Sequence, residues 1–218
     1  MGSNLCVDLS HHDTVESFHE AYEAGFRLVI LKATQGTSYV DPTFKSRVKN
    51  LAKYLPEMLV GAYHFGTGAP AIAQAKWFLD TVSAIGDVTG CPIKLRVLDY
   101  ETNPYGSTMS LSQAEDFAER FHHSQSRWPM LYTSRGMIGN SGISELRSPL
   151  RNCELWLADY STTPPVQPRI PTGWEKYRLW QWTAPEDPQC PVVPGIGKCD
   201  QSMFPGTADD LYRWYQSL

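Results

Sequence analysis

Hydrophobic residues along the chain fall into short, nearly continuous runs, separated by stretches in which they recur at helical spacing. Seven runs rich in β-branched, aromatic and leucine residues stand at 5–9, 27–33, 59–65, 94–100, 129–133, 154–158 and 179–183, and an eighth, short strand is placed near Cys199. A strand with one wet face alternates apolar and polar residues. Unbroken runs such as Leu28-Val29-Ile30-Leu31 instead predict burial on both faces, as in a parallel sheet.

The intervening segments carry helix-start signals. Asp13 with Glu16 reads as a capping box ahead of Val15, Phe18 and Tyr22. Asp41-Pro42 sets a capping carboxylate before a proline in the first helical turn. Ser110 with Gln113 opens a helix with the apolar stripe Leu111, Ala114, Phe117, Ala118 and Phe121. Thr207 starts a last helix carrying Leu211, Trp214 and Tyr215.

Strand–helix alternation through the whole chain predicts an α/β fold, an irregular TIM-like (β/α) barrel in a single domain. A closed barrel is favoured over an open sheet, since no glycine-rich phosphate loop follows the first strand. Residues 161–173 hold four prolines and little helical pattern, so some crossover helices are expected to be missing from the second half. Residues 1–4 read as a tag or flexible N-terminus, and 5–218 as one domain, which suits 218 residues.

Composition narrows the function classes. A formal net charge of -4 with no basic block argues against nucleic acid as a partner. No apolar run reaches membrane-spanning length, and the chain does not open with a charged-then-apolar signal peptide. Monomer is the default expectation. The five cysteines contain no C-x-x-C and no histidine at zinc-finger spacing. Cys190 and Cys199 bracket a Pro/Gly-rich loop and are a candidate bridge.

The acids lie where chemistry would need them. In a β/α barrel the active site gathers at the C-terminal ends of the strands. Asp8 ends the first predicted strand, Asp99 and Glu101 the fourth; Asp159 follows the sixth, and Asp200 lies at the last. Residues two apart on a strand share a face, so Asp99 and Glu101 fall side by side. Two carboxylates at short range resist double ionisation, so one pKa rises. A carboxylic acid kept protonated near neutral pH can protonate a glycosidic oxygen. The longer arm of Glu101 suits reaching a leaving group. Tyr63, Tyr100, Tyr132, Trp156, Tyr160, Trp180 and Trp182 cluster near the same strand ends, where aromatic faces can stack on sugars or fill the core.

Other readings stay open. Asp8 with His11 and His12 could hold a metal for a carbohydrate esterase, but no second, helically spaced histidine pair completes the set; no metal or other cofactor is expected. No G-x-S-x-G marks a serine hydrolase. A catalytically silent glycan-binding module on the same fold is the rival from another class.

Several segments, in order, resemble the family 25 glycoside hydrolases, the Chalaropsis-type lysozymes. They are Val7-Asp8-Leu9-Ser10-His11-His12, Ile30-Leu31-Lys32-Ala33-Thr34-Gln35-Gly36-Thr37, Gly61-Ala62-Tyr63-His64-Phe65, Leu98-Asp99-Tyr100-Glu101, Leu131-Tyr132-Thr133, Leu155-Trp156-Leu157-Ala158 with Tyr160, and Trp180-Gln181-Trp182. The resemblance implies a catalytic domain that hydrolyses the β-1,4 bond between N-acetylmuramic acid and N-acetylglucosamine in peptidoglycan, acting outside the cell. It implies Glu101 as general acid, Asp99 as orienter of the substrate acetamido group, and Asp8 and Asp200 as flanking acids. Tyr63, Tyr132, Lys32, Trp156, Tyr160 and Gln181 are the implied substrate-binding residues; Lys32 could alternatively be an ion-pair partner of the acids. Gln35 stands where the family often has Glu, and the insert 185–191 is longer than usual.

Overall fold

The computed structural model describes residues 2–141, 143 and 148–218. Its strands are β1 (Ser3–Leu9), β2 (Leu28–Gln35), β3 (Tyr39–Val40), β4 (Leu59–Phe65), β5 (Leu95–Asp99), β6 (Met130–Ser134), β7 (Leu155–Ala158), β8 (Leu179–Thr183), β9 (Val192–Val193), β10 (Gly197–Lys198) and β11 (Asp200–Phe204). The helices are α1 (Phe18–Glu23), α2 (Phe44–Tyr54), α3 (Ala71–Thr89), α4 (Leu111–Gln125), α5 (Arg135–Ser141) and α6 (Ala208–Ser217), with a 3₁₀ turn at Pro149–Asn152. Strands β1, β2, β4, β5, β6, β7 and β8 form a parallel ladder. The barrel is closed by β11, which runs antiparallel to both β8 and β1. The all-parallel expectation thus fails at one of the eight barrel strands, and the short β3 also pairs antiparallel, with β2.

That reversal follows from the chain between β8 and β11. It holds no helix, only the small antiparallel β9–β10 pair. A parallel return would need a crossover of a dozen or more residues, usually helical. The expected gap after β7 is also present, with no helix between β7 and β8.

Period-2 alternation sorts the barrel residues into two apolar layers. Val29 and Leu31 of β2, Val60 and Ala62 of β4, and Leu98 of β5 point outward, joining Phe44, Val48, Phe78, Phe117 and Phe121 from the helices. Leu28, Ile30, Leu59, Leu95, Val97, Met130 and Leu179 point into the lumen. There they meet Leu211, Trp214 and Tyr215 of α6, which plugs the lower end. The plug is tied down by hydrogen bonds: Tyr215 Oη donates to the Val60 carbonyl at 2.8 Å, and Trp214 Nε1 donates to Glu154 at 2.9 Å. With the bottom filled by apolar side chains, polar lumen residues are confined to the top.

The helix starts follow the sequence at α4 and α6, whereas α2 begins at Phe44, two residues beyond Pro42, with Thr43 at its N-cap and no side-chain cap. Ser110 and Gln113 form a reciprocal capping box on α4, and Thr207 caps α6 with Asp210. Asp41 accepts from Thr43 N and Oγ1 at 2.9 and 2.7 Å, closing the turn into α2. The box expected at Asp13 and Glu16 does not form. Ser17 caps α1 instead, and the Asp13 carboxylate accepts from Ser10 N at 2.7 Å. We expect Ser110→Ala to cost about 1 kcal/mol, because an orphaned amide of the first turn loses its acceptor. In thermal unfolding this corresponds to roughly 2–4 °C; a melting temperature equal to wild type would show that the box is idle.

Two further expectations are corrected. Residues 3–4 are not a flexible tail: Ser3 and Asn4 pair with Phe204 and Met203. Cys190 and Cys199 are not bridged. All five cysteines are free and buried, and Cys190 Sγ donates to the Cys199 carbonyl at 3.4 Å.

Candidate active site

The upper lumen opens into a cleft of about 340 Å³ lined by Asp8, Tyr63, Asp99, Glu101, Tyr132, Trp156, Tyr160, Gln181, Ala184, Glu186 and Asp200. All nine of the singled-out residues on this wall come from barrel strands or the residues just past them. Strand register explains the convergence. Asp8 stands opposite Asp200, Asp99 opposite Tyr132, and Tyr132 opposite Trp156. Asp200 reaches the top because β11 is reversed: it begins that strand rather than ending it.

Glu101 lies beyond β5, in a bend, not on the strand beside Asp99 as the shared-face reading had it. The segment is nevertheless fixed. Gly66 N donates to the Asp99 carbonyl and Tyr100 N to the Tyr132 carbonyl, both at 2.9 Å. A side chain at Gly66 would press its Cβ to 2.9 Å from Met109 Sδ and 3.1 Å from that same carbonyl, so only glycine permits the approach.

Burial dominates the electrostatics. It pushes Asp99 well above the usual carboxylate range, with further upward push from Glu101, Asp8 and Asp200 and relief from Lys32. Asp8 is raised in the same way by burial and then by Asp200, although Gln181 Nε2 donates to both of its oxygens at 2.9 Å. Asp200 is pushed up to about 7 by burial, then by Asp13, Glu186 and Glu101. Glu101 is raised by burial, against the charge of Lys32. One oxygen, Asp99 Oδ1, is buried without a hydrogen-bond partner.

The neighbours organise these acids. Gln181 presents its amide nitrogen to Asp8 because Tyr132 Oη and Tyr160 Oη both donate to its Oε1, the former at 2.7 Å. Tyr132 meets Trp156 edge-on with ring centroids 4.8 Å apart, and Trp156 Nε1 donates to Ser202 Oγ at 3.0 Å. Trp156 is therefore largely a buried wall, while Tyr160 is half exposed at the rim. Lys32 is not on the cleft wall. Its Nζ donates to Gln35 Oε1 at 2.8 Å and lies 4.9 Å from the centre of the Phe65 ring.

Some sequence candidates lie elsewhere. Asp159 accepts from Ser161 N at 3.0 Å and from Arg135 at 3.2 Å; burial pushes it up, but these bonds outweigh burial and hold it below the usual range. It closes a turn instead of serving the rim. His11 Nδ1 is 2.9 Å from Asp41 Oδ2. His64 is sealed between Thr34 Oγ1 at 2.8 Å and Gln74 Oε1 at 3.1 Å. Burial pushes it down to about 4, so it is neutral. Because Gln74 Nε2 already donates to the Thr67 and Ala69 carbonyls, its Oε1 must accept, and His64 holds its proton on Nε2. Among the described residues, no group of three or more His, Cys, Asp or Glu side chains is arranged to hold a metal ion. His122 lies flat on Trp128, with centroids 4.3 Å apart. A hollow of about 510 Å³ at the opposite face, around Met58, Cys91 and Tyr212, gathers no comparable group of acids.

Glu186 escaped the sequence reading. It lies in the insert 185–191, where no periodicity points a side chain, and the one available signal was an acid three residues beyond a barrel strand.

The model of Glycosyl hydrolases family 25 matches residues 7–189. The chain belongs to this family. It is a glycoside hydrolase with an irregular TIM-like barrel. An N,O-diacetylmuramidase of Chalaropsis sp is 31% identical over 189 residues, 80% of this chain and 85% of that protein. The bacterial lysozyme from Streptomyces coelicolor superposes with a TM-score of 0.80 at 26% identity, covering 99% of this chain and 98% of the other. A family 25 lysozyme from Aspergillus fumigatus superposes with a TM-score of 0.74 at 30% identity, covering 96% and 97%.

Proposed function

We propose that this family 25 glycoside hydrolase is a lysozyme that cleaves the β-1,4 bond between N-acetylmuramic acid and N-acetylglucosamine in bacterial peptidoglycan. Glu101 is the general acid. Burial raises its pKa, which favours the protonated form a general acid needs, and it lines the cleft just past β5. It protonates the glycosidic oxygen as the C1–O bond breaks.

The observation that carries the second role is the partnerless, buried oxygen of Asp99. A buried acceptor without a donor costs free energy until a donor arrives. An acetamido N–H is such a donor. Asp99 accepts it and turns the acetamide carbonyl toward C1, where its oxygen takes the place of an enzyme nucleophile. As charge develops on the acetamide, the Asp99 carboxylate, favoured by the new bond, stabilises it. Asp8 and Asp200 flank this centre, with Gln181 fixing Asp8. Tyr63, Tyr132 and Tyr160 line the sugar path, with Trp156 behind them, and Lys32 holds its charge near Asp99 and Glu101 to limit how far their pKa values rise. The natural setting is the bacterial wall outside the producing cell, and the working unit is a monomer.

Product analysis tests bond and mechanism together. Digestion of purified walls is expected to leave muramic acid at the new reducing end. NMR of the first-formed product should show retained β configuration, because two displacements at C1 cancel. Net inversion rules out the acetamide route, and glucosamine at the reducing end rules out the bond.

A further inference from the structure

We infer that a hollow at the end of the barrel opposite the cleft is an anion site, where Arg96 and Arg127, with Lys94 beside them, take a phosphoryl group. The hollow, of about 690 Å³, lies between the ends of α3 and α4, and Ser83, Asp87 and Gln125 complete its polar lining. Lys94 and Arg96 flank the first residue of β5, whose other end delivers Asp99 to the cleft. The length of that strand, at ~3.3 Å per residue, separates the two sites. Binding here is independent of the chemistry in the cleft.

Arg96 departs from the pattern of its strand. Leu95 and Val97 face the lumen, so Arg96 and Leu98 face the helices, where a strand covered on both sides ordinarily presents apolar residues. Arg96 is half-buried there and is held by neutral groups alone. Its Nη1 donates to Gln125 Oε1 at 3.0 Å, Nη2 to Ser83 Oγ at 3.5 Å and Nε to the Ile93 carbonyl at 3.4 Å. Arg127, also half-buried, donates from Nη2 to the Lys94 carbonyl, and among the described residues its Nε and Nη1 have no protein acceptor. Lys94 Nζ donates to the carbonyl and Oε1 of Gln216, at 2.9 and 3.1 Å, which leaves one of its three protons. Among the described residues none of these three cations forms an ion pair. Asp87, exposed at the rim, acts on Arg96 from beyond ion-pair distance. Burial pushes Arg96 below the usual arginine range, and Arg127 pushes it further. Two guanidinium groups thus repel each other where charge is already disfavoured, a cost that an anion between them removes.

Guanidinium forks match paired oxygens of an oxyanion. A carboxylate brings one charge and two oxygens in one plane. A phosphoryl group brings up to roughly two charges and tetrahedral oxygens, so it can face donors arriving from different elements. It reaches the site from two sources: inorganic phosphate, or the phosphodiester of a polyol-phosphate chain. The test titrates the protein at fixed ionic strength with inorganic phosphate, with soluble poly(glycerol phosphate), and with acetate as control, and follows backbone amide shifts by NMR. Phosphate should move the amides of Ser83, Ile93 and Gln125, leave those of Asp99 and Gln181 in place, and bind more tightly than acetate. Arg96→Gln and Arg127→Gln should each weaken phosphate binding about tenfold or more, the loss expected when hydrogen bonds to a charged group go. Arg127→Lys, which keeps the charge without the fork, should lose only part of it. Turnover of short soluble glycans should stay at the wild-type rate in all three, because neither arginine lines the cleft. Tighter binding of the polymer than of inorganic phosphate identifies the chain as the source, and the reverse identifies the free ion. Phosphate shifts no larger than those with acetate, shifts centred on the cleft, or equal binding by folded Arg127→Gln overturns the inference. The wild-type shift map decides the matter even if a variant fails to fold.

Discussion

Glu101→Gln should clear purified bacterial walls about 10²–10⁴ times more slowly than wild type, the range associated with losing a positioned general acid. Gln keeps the size and hydrogen-bonding reach of Glu but has no proton to transfer to the departing oxygen. The effect is therefore expected in kcat, with little change in KM. Burial raises Glu101 above the ordinary range, so wild-type activity should extend to higher pH than an unshifted glutamate allows, then fall as its proton is lost. Turbidity and reducing-end release, read beside a melting curve, check both points. Equal clearing by variant and wild type would end the assignment of Glu101.

Asp99→Asn should move activity and stability in opposite directions. Activity falls about a hundredfold, as for loss of one preorganised electrostatic contact in an active site. Stability rises at neutral pH, because Asn cannot take on the buried charge that the neighbouring acids disfavour. The sign follows from the raised pKa. A carboxyl whose folded pKa lies above its unfolded one adds stability below the unfolded value and loses it as pH rises through the folded one. Asn resembles the protonated form at every pH. The gain in melting temperature should therefore be larger at pH 7 than at pH 4. A variant that is less stable at pH 7, or equally stabilised at both, would contradict strain at Asp99. Catalytic sites are where such unfavourable arrangements persist.

Much of this site was legible before any coordinates. The apolar runs at 59–65 and 179–183 are strands with those limits, because a buried strand bounded by turns has few competing readings. The rule that strand ends deliver the active site located Asp8, Asp99 and Glu101, all now on one cleft. The same rule misplaced Asp159, since Arg135 and Ser161 claim it through contacts that strand position does not reveal. Direction was the harder quantity. Asp200-Gln201-Ser202-Met203-Phe204 has the same alternation read either way, and only the missing crossover makes β11 run backward. The helix α3, 19 residues long, begins after Pro70 without a side-chain cap and left no start signal. Glu186 depends on a loop whose path is set by hydrogen bonds from Asp187 and Lys198, which no periodicity encodes.

The antiparallel closure has a kinetic corollary. Asp99 and Glu101 arrive with a central strand whose parallel neighbours are close in sequence. Asp8 and Asp200 meet only when β1 and β11 zip together, joining positions about as remote as the chain contains. Contacts of such separation carry the largest loop-closure entropy, and chains dominated by them fold slowly. A species folded through the middle strands but open along the β1–β11 seam would hold Asp99 and Glu101 and lack Asp8 and Asp200 beside them. Recovery of enzymatic turnover on refolding should therefore trail recovery of helical signal, making catalysis the reporter of the seam.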